Sequence, residues 1–302
     1  MHFLTLSAFA AVAYLLYKRE ITIGTGDATL GYIESFIYPI REILNDINSI
    51  NGSKEVRNEI IAFLNQPTAN TILCKDFNKE ISIENVSINY ENFCINNLNL
   101  VFEKGKKYVI IGHSGSGKSS TIKAISKSLN LSSGKIKIDN KDIDELDLST
   151  LIACVNQTEN LFLADFLSNI SIFDTYKTDN IKSFSKLMDL KTWESIASSE
   201  NCSTLSGGEK QITSILRALN METPILLLDE PYSAIDIKTA KKINDYLLSL
   251  KDKTIILITH KISFEELKNF DMVILMDNGT VVNFDNPENI FSLKEFRNML
   301  GE

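Results

Sequence analysis

The sequence GHSGSGKS occupies residues 112–119 and matches the pattern G-x-x-x-x-G-K-[ST] at every fixed position. The short, mainly apolar run Lys107–Ile111 precedes it and predicts a buried strand. The glycines within the pattern let the backbone turn tightly and point several N–H groups inward. A helix beginning near Lys118 would place its positive N-terminus behind this loop. The stretch therefore predicts a loop that binds phosphate groups.

The same pattern predicts roles for single side chains. Lys118 should reach the β- and γ-phosphates of a nucleoside triphosphate, and the hydroxyl of Ser119 should coordinate Mg²⁺. The alternative is a surface loop of glycine and serine that happens to contain a lysine. We disfavour it because the strand, loop and helix signals occur together.

A second apolar run, Ile225–Leu228, ends in Asp229 and Glu230. Its continuous apolar character predicts a strand that is covered on both faces. Asp229 would then hold Mg²⁺, directly or through water, and Glu230 would orient or deprotonate an attacking water. An isolated acidic pair is as often only the solvated end of a strand. The phosphate loop upstream favours the catalytic interpretation.

Residues 205–209 read LSGGE and predict a glycine-rich turn that opens a helix. Such a helix start is a second site for an anion. The chain's own triphosphate would already be bound at residues 112–119. The second site is therefore best explained if it faces the phosphate of a partner molecule.

The order of these motifs resembles the nucleotide-binding domain of an ABC transporter, and most closely that of the exporter type. The resemblance covers roughly residues 80–285. It implies an α/β fold, a P-loop NTPase domain with an antiparallel β subdomain and an α-helical subdomain. It also implies that ATP is bound and that its hydrolysis drives the transport of a substrate across a membrane.

The resemblance assigns further residues. Gln157 matches the glutamine that touches Mg²⁺ and couples to the membrane domain, and His260 matches the histidine that contacts the γ-phosphate. The residues implied to bind the nucleotide are Tyr90, Gly112, Ser114, Gly115, Ser116, Gly117, Lys118, Ser119, Ser120, Ser206, Gly207, Gly208 and Asp236. The implied catalytic residues are Lys118, Gln157, Glu230 and His260, and the implied Mg²⁺ ligands are Ser119, Gln157 and Asp229.

Some of these residues carry weak signals when taken alone. Tyr90 could equally pack against the sheet, His260 could be structural, and Gln157 could be an ordinary surface residue. The implied mechanism joins two nucleotide-binding domains head to tail, so that residues 206–208 of one bind the γ-phosphate held by the other. Whether the partner is a second copy of this chain or a different chain is left open.

Composition sets the class of protein. The chain has 302 residues, of which 44% are hydrophobic, and a formal net charge of −8. The acidic balance argues against a nucleic-acid partner. The four cysteines lack C-x-x-C spacing, which indicates reduced thiols in a cytoplasmic domain. Strands and helices alternate from Lys107 onward, which predicts a largely parallel sheet, whereas Ile81–Phe102 predicts antiparallel strands.

The first seventy residues predict a membrane segment. Phe3–Tyr17 is apolar and uncharged but shorter than the about 20 residues that a full span needs. A signal peptide is disfavoured because no Lys or Arg precedes this stretch. Apolar residues recur at helical spacing through Asp27–Ile50, where Pro39 should kink the helix without ending it, and Ser53–Leu64 resembles a linker helix.

We therefore expect residues 1–70 to be a partial transmembrane domain, the last hairpin of an exporter, and residues 78–302 to be the nucleotide-binding domain. The expected location is the cell membrane, with the ATPase domain in the cytoplasm. The other transmembrane helices of an exporter would be missing partners, through a split gene, a misassigned start or a degenerate copy. The alternatives are a soluble ABC-type ATPase that takes no part in transport, and a non-functional remnant.

Overall fold

The computed structural model describes residues 2–64, 71–74, 76–89, 93–158, 160–178, 181–260, 262–292 and 296. The chain divides into two compact units, residues 1–68 and residues 69–302.

The first unit is a helical hairpin. Helix α1 spans His2–Tyr17 and helix α2 spans Ile23–Leu64. Arg19 turns the chain between them with a φ of 57°. The hydroxyl of Thr22 accepts a hydrogen bond of 3.2 Å from the N–H of Thr25, which caps the first turn of α2. A Cβ at Gly26 would lie only 3.3 Å from the side chain of Val12, so this glycine lets the two helices approach closely.

Two helix boundaries differ from the expectation. The sequence predicts helical spacing from Asp27 to Ile50 and a linker helix over Ser53–Leu64, whereas α2 begins at Ile23 and is one continuous helix of 42 residues. Asn51 and Gly52 are weak helix formers, but local propensity is a weak prior that a long helix overrides. Pro39 lies inside α2, as predicted. Among the described residues, none of the helices combines the length and the apolar composition that a membrane span requires.

The second unit contains twelve strands and eight longer helical segments among its described residues. The strands are β1 (Ile72–Leu73), β2 (Glu80–Asn89), β3 (Cys94–Glu103), β4 (Lys107–Gly112), β5 (Ser133–Ile138), β6 (Lys141–Asp142), β7 (Leu146–Asp147), β8 (Ile152–Val155), β9 (Ile225–Asp229), β10 (Thr254–Ile258), β11 (Met272–Asp277) and β12 (Thr280–Asp285). The α-helices are α3 (Lys118–Ile125), α4 (Phe166–Ser171), α5 (Ile181–Phe184), α6 (Leu190–Ala197), α7 (Gly207–Asn220), α8 (Ile237–Ser249), α9 (Phe264–Leu267) and α10 (Pro287–Ser292).

The central sheet has six strands in the order β12-β11-β4-β10-β9-β8. All neighbours are parallel except the antiparallel pair β11 and β12. Every residue of β4, β9 and β10 is buried. This explains why their sequences are nearly continuous apolar runs, as strands covered on both faces require. The predicted α/β class with a largely parallel sheet is confirmed.

A second sheet has the order β3-β2-β5-β6, with antiparallel neighbours throughout. Buried residues alternate with more exposed ones over much of β2, as expected for a sheet with one face on the core. This sheet is the antiparallel β subdomain that the stretch Ile81–Phe102 predicts. The helices α4 to α7 supply the α-helical part.

Two hydrophobic clusters lie against the central sheet, one on each face. Along β4, Val109 and Ile111 belong to one cluster, whereas Tyr108 and Ile110 belong to the other. This alternation follows from the two-residue period of a strand. Burial on both faces fixes the strands firmly, so the loops that follow them start from a rigid base.

Candidate active site

The carboxyl ends of four parallel strands meet at one edge of the central sheet. The phosphate loop follows β4, Gln157 follows β8, Asp229 ends β9, and His260 follows β10. The register places Ile258 opposite both Ile110 and Asp229. Loops at this edge of an open α/β sheet commonly form ligand sites. The topology thus gathers residues that are far apart in the sequence.

The phosphate loop has the backbone that its glycines permit. Gly115 and Gly117 have φ values of 79° and 102°, in the left-handed region. Gly112 has a different constraint, because a Cβ there would clash with the main-chain carbonyl of Met276. Lys118 begins α3 and its Nζ donates to the carbonyls of Gly112 and His113, at 2.9 and 2.8 Å. The lysine therefore folds back along the loop.

Burial perturbs the charged groups of this loop in a consistent way. Lys118 is only 4% exposed, and this desolvation lowers its pKa, opposed by the charges of Glu230 and Asp229. Burial also raises the pKa of Asp229, as does the nearby charge of Glu230, while a hydrogen bond from Ser119 opposes the rise. An acid and a base with opposite shifts in one site are typical of functional centres.

Two buried polar atoms at this edge have no hydrogen-bond partner among the described residues. They are Oγ of Ser116 and Oδ1 of Asp229. Buried polar atoms are normally satisfied, so an orphan indicates a group that a ligand or ion completes. The free carboxylate oxygen of Asp229, together with the hydroxyl of Ser119 that it binds, suits Mg²⁺, which favours one or two protein ligands plus phosphate and water.

No larger metal cluster occurs in the described part of the chain: no group of three or more His, Cys, Asp or Glu side chains could hold a metal ion there.

Glu230 is the centre of a group of three side chains. Its Oε1 lies 2.7 Å from Nε2 of His260, and its Oε2 accepts a longer bond of 3.5 Å from Nε2 of Gln157. The N–H of Glu230 donates to the carbonyl of Ile258 at 3.0 Å, which ties the end of β9 to β10. The sequence places Gln157, Glu230 and His260 in three separate segments, and the fold brings them into contact.

A cavity of about 400 Å³ lies between the phosphate loop and this group. Most of the predicted site residues line it, and they are Ser114, Gly115, Gly117, Lys118, Ser119, Ser120, Gln157, Glu230 and His260. Phe93 also lines the cavity, although it was not predicted from the sequence. Its signal was an aromatic side chain just before β3, close to the predicted Tyr90. Tyr90 itself lies outside the described residues.

Four residues predicted to bind nucleotide lie elsewhere. Ser206, Gly207 and Gly208, predicted to face a partner, and Asp236 are not among the residues that line the cavity. Ser206 caps the N-terminus of α7, and Asp236 caps α8 by accepting a hydrogen bond of 3.0 Å from the N–H of Thr239.

A buried glutamine connects this region to the catalytic edge. Gln211, on α7, is 1% exposed. Its Nε2 donates to Ser233 at 2.6 Å and to the carbonyl of Glu230 at 3.4 Å, and its Oε1 accepts from the N–H of Ala234 at 2.8 Å. The role of Gln211 is not visible in the sequence, because its partners lie beyond the next strand.

The chain is similar to known proteins along nearly all of its length. Residues 95–233 match the family model described as ABC transporter. YgaD of Bacillus subtilis (strain 168), named as a multidrug export ATP-binding/permease protein, is 26% identical over 299 residues, covering 92% of this chain and 51% of the relative. The ATP-dependent lipid A-core flippase of Saccharophagus degradans is 33% identical over 216 residues, covering 67% of this chain and 36% of the relative.

A solved structure shares the fold. The structure of a bacterial Atm1-family ABC exporter with ATP bound superimposes with a TM-score of 0.68 and 22% identity, covering 99% of this chain and 56% of that one. The chain spans about half the length of the curated relatives it matches. The family match spans both the phosphate loop and the acidic strand end, which meet at one edge of the sheet, so the chain carries an ATPase domain of the ABC transporter family and is similar to part of the length of ABC exporters.

Proposed function

We propose that the chain binds and hydrolyses ATP to drive the transport of a substrate across a membrane, as part of an ABC exporter. The observation that carries this proposal is the meeting of Lys118, Gln157, Glu230 and His260 around one cavity at the carboxyl edge of the sheet. The relatives support it, because their names assign them to multidrug export and to lipid A transport.

The buried ammonium group of Lys118 and the N–H groups of the phosphate loop suit a triphosphate. Lys118 would exchange its hydrogen bonds to the loop carbonyls for bonds to the β- and γ-phosphates. Phe93 offers an apolar surface in the same cavity for the base or ribose. Ser119, Asp229 and Gln157 would hold Mg²⁺, which when bound offsets the negative charge on the phosphates.

Glu230 is the residue that we assign to the attacking water. A general base must lie within hydrogen-bond reach of the proton that it takes. The carboxylate of Glu230 points to the cavity and is held by His260 at 2.7 Å. His260 would thus keep Glu230 oriented and present its own ring to the γ-phosphate.

A second nucleotide-binding domain would complete the site. The glycine-rich start of α7 exposes a helix N-terminus away from the chain's own cavity, and an anion of a partner molecule would suit it. We propose a head-to-tail pair in which Ser206, Gly207 and Gly208 contact the γ-phosphate bound by the partner.

The helical hairpin supplies the argument for a membrane partner. Many large apolar side chains of α1 and α2 are exposed, among them Leu6, Phe9, Tyr32, Phe36, Ile43 and Ile61. Exposed apolar surface of this extent marks a site for protein or membrane contact. We propose that this hairpin joins the remaining helices of an exporter in the cell membrane, with the ATPase domain on the cytoplasmic side.

The test is the steady-state Mg-ATPase rate of the full chain in detergent, measured against protein concentration. A rate that rises faster than linearly would support a site built from two copies. Absence of turnover at all concentrations, in protein shown to be folded by circular dichroism, would contradict hydrolysis by this chain alone.

A further inference from the structure

Glu209 is tied to the start of α7 by several hydrogen bonds. Its Oε2 accepts from the N–H of Ser206 at 2.9 Å and from the hydroxyl of Ser206 at 2.7 Å. Its Oε1 accepts from the hydroxyl of Ser195 at 2.5 Å. The hydrogen bonds from Ser195 and Ser206 lower the pKa of Glu209, so its carboxylate is ionised at neutral pH. A negative charge therefore lies beside the helix start that is to receive a phosphate.

The hydroxyl of Ser206 has one proton to give. An ionised carboxylate is acceptor-only, so in the contact between Ser206 and Glu209 the proton must come from the serine. The oxygen of Ser206 accepts in turn from the N–H of Glu209, at a long 3.4 Å. A phosphate oxygen carries no proton either. The two anions therefore compete for the same donor.

The strength of this competition depends on which residue occupies position 209. Hydrogen bonds to an ionised acceptor are roughly twice as strong as bonds between neutral groups. A glutamine there would keep an oxygen to accept from the N–H of Ser206, but that neutral oxygen would hold the hydroxyl proton only about half as strongly. Ionised Glu209 thus keeps the hydroxyl proton of Ser206 from a phosphate oxygen more strongly than a glutamine of the same shape would.

We propose that Glu209 is a positioning residue that sets how tightly the helix start at residues 206–208 binds the γ-phosphate of a partner, by retaining the hydroxyl proton of Ser206. The inference rests on the proposed function, because it concerns the same composite site. Binding at this helix start then depends mainly on the N–H groups of Gly207 and Gly208. The hydrogen bond between Ser206 and Glu209 therefore weakens the ATP-bound pair of nucleotide-binding domains, which separate more readily after hydrolysis.

The test is Glu209→Gln in the full chain in detergent, with the ATP concentration for half-maximal Mg-ATPase rate as the first readout. We expect this concentration to fall by about tenfold, since a hydrogen bond to a charged group is regained by the nucleotide. The second readout is the effect of Glu209→Gln on this concentration in the Ser206→Ala background, compared with its effect in the wild type. We expect Glu209→Gln to lower the half-maximal concentration by no more than about twofold when it is made in the Ser206→Ala background, because the contested hydroxyl is then absent.

Ser195→Ala is the matched control, because it removes the other hydrogen bond of the Glu209 carboxylate and leaves Ser206 untouched. Its half-maximal ATP concentration should stay within about twofold of the wild-type value. An equal gain from Ser195→Ala, or a Glu209→Gln gain that persists in full with Ser206→Ala, would overturn the role of the hydroxyl proton. So would an unchanged half-maximal concentration in Glu209→Gln protein with a wild-type unfolding midpoint. Failure of the proposed function is distinct from these outcomes, since the wild-type protein would then show no ATP-dependent turnover.

Discussion

Glu230 has a backbone φ of 48°, a value in the left-handed region that residues with a side chain rarely adopt. Such a conformation costs on the order of 1 kcal/mol and persists only where the surroundings enforce it. Here the enforcing contacts are the hydrogen bond from its N–H to Ile258 and the bond from its side chain to His260. A strained residue at the end of a buried strand, aimed into a cavity, is consistent with the base role proposed for it.

Glu230→Gln should therefore separate binding from chemistry. The amide keeps the size and a hydrogen-bond acceptor of the side chain but cannot take a proton, so we expect ATP binding to remain and the Mg-ATPase rate to fall by about 100-fold or more. Equilibrium binding of a fluorescent ATP analogue and the steady-state rate measure the two effects. Glu265→Gln, on the exposed side of α9, is the control and should keep wild-type turnover. A wild-type rate in the Glu230 variant would remove this residue from the base role.

Asp229 illustrates a cost that a functional residue imposes on the unliganded fold. Burial raises its pKa, so the folded state binds this proton more strongly than the unfolded state does. The contribution of Asp229 to wild-type stability therefore falls as pH rises from the ordinary value of 3.8 through the folded-state pKa. Above that range the protein buries a carboxylate with one unsatisfied oxygen.

Asp229→Asn should accordingly stabilise the ligand-free protein at pH 7, by on the order of 1 kcal/mol, while it weakens Mg²⁺-dependent nucleotide binding. The gain should vanish as pH falls below the ordinary aspartate pKa, where both states of the wild type are protonated. Thermal unfolding at several pH values measures it. Asp165→Asn is the control: Asp165 caps α4 at the surface, and asparagine caps a helix equally well, so little change is expected. A destabilised Asp229→Asn protein at pH 7 would contradict this account.

At the scale of elements, the start of α7 packs against the loop that follows β9. A Cβ at Gly208 would lie 2.6 Å from the carbonyl oxygen of Ala234, which is closer than real contacts allow. A Cβ at the adjacent Gly207 would lie 3.7 Å from the side chain of Ala234, an ordinary contact. Gln211 then fastens the same loop through Ser233 and Ala234. The helix α7, which we propose to face a partner, and the segment that carries Glu230 are thus one packed unit.

The two glycines provide a matched pair of substitutions. Gly208→Ala should lower the unfolding midpoint by several degrees, because backbone must move to admit the methyl group, at a cost of about 1–3 kcal/mol. Gly207→Ala introduces the same methyl group into available space and should change the midpoint little. Differential scanning calorimetry of the two variants decides the matter, and equal midpoints would contradict the packing argument.

At the scale of the whole molecule, the two helix starts that we propose to bind phosphate do not serve one cavity. The residues that line the cavity include the start of α3 but not the start of α7. The proposed head-to-tail pair would account for this, because each copy would supply its α7 start to the nucleotide of the other. Mixtures of two inactive variants can test this pairing.

Lys118→Ala and Gly207→Asp should each be inactive as homodimers, the first because the nucleotide is lost and the second because a carboxylate meets the γ-phosphate. Mixed in equal amounts, they should recover up to about a quarter of the wild-type Mg-ATPase rate, since half of the pairs would be mixed and each would hold one intact site. The control is each variant mixed with itself. No recovery, where subunit exchange is verified by differently labelled chains, would contradict pairing between copies of this chain.

Much of the fold was open to prediction because its signals are local. The runs before residues 112 and 229 predict strands that the structure confirms as β4 and β9, and the start of α3 falls at Lys118 as expected. The hairpin at residues 2–64 was harder. The sequence indicates two helical stretches, Asp27–Ile50 and Ser53–Leu64, but α2 runs through both, since backbone hydrogen bonding along a long helix outweighs a few weak helix formers.

The sequence by itself determined the phosphate loop, the acidic end of β9 and the capped start of α7, because each depends on glycines, charges and apolar runs within a few residues. Only the tertiary structure decided which distant groups meet: the 2.7 Å contact between Glu230 and His260, the presence of Phe93 in the cavity, and the hold of Gln211 on Ser233. These contacts join segments that lie on different strands and helices. Local propensity carries no information about them, whereas the order of strands in a buried parallel sheet fixes them.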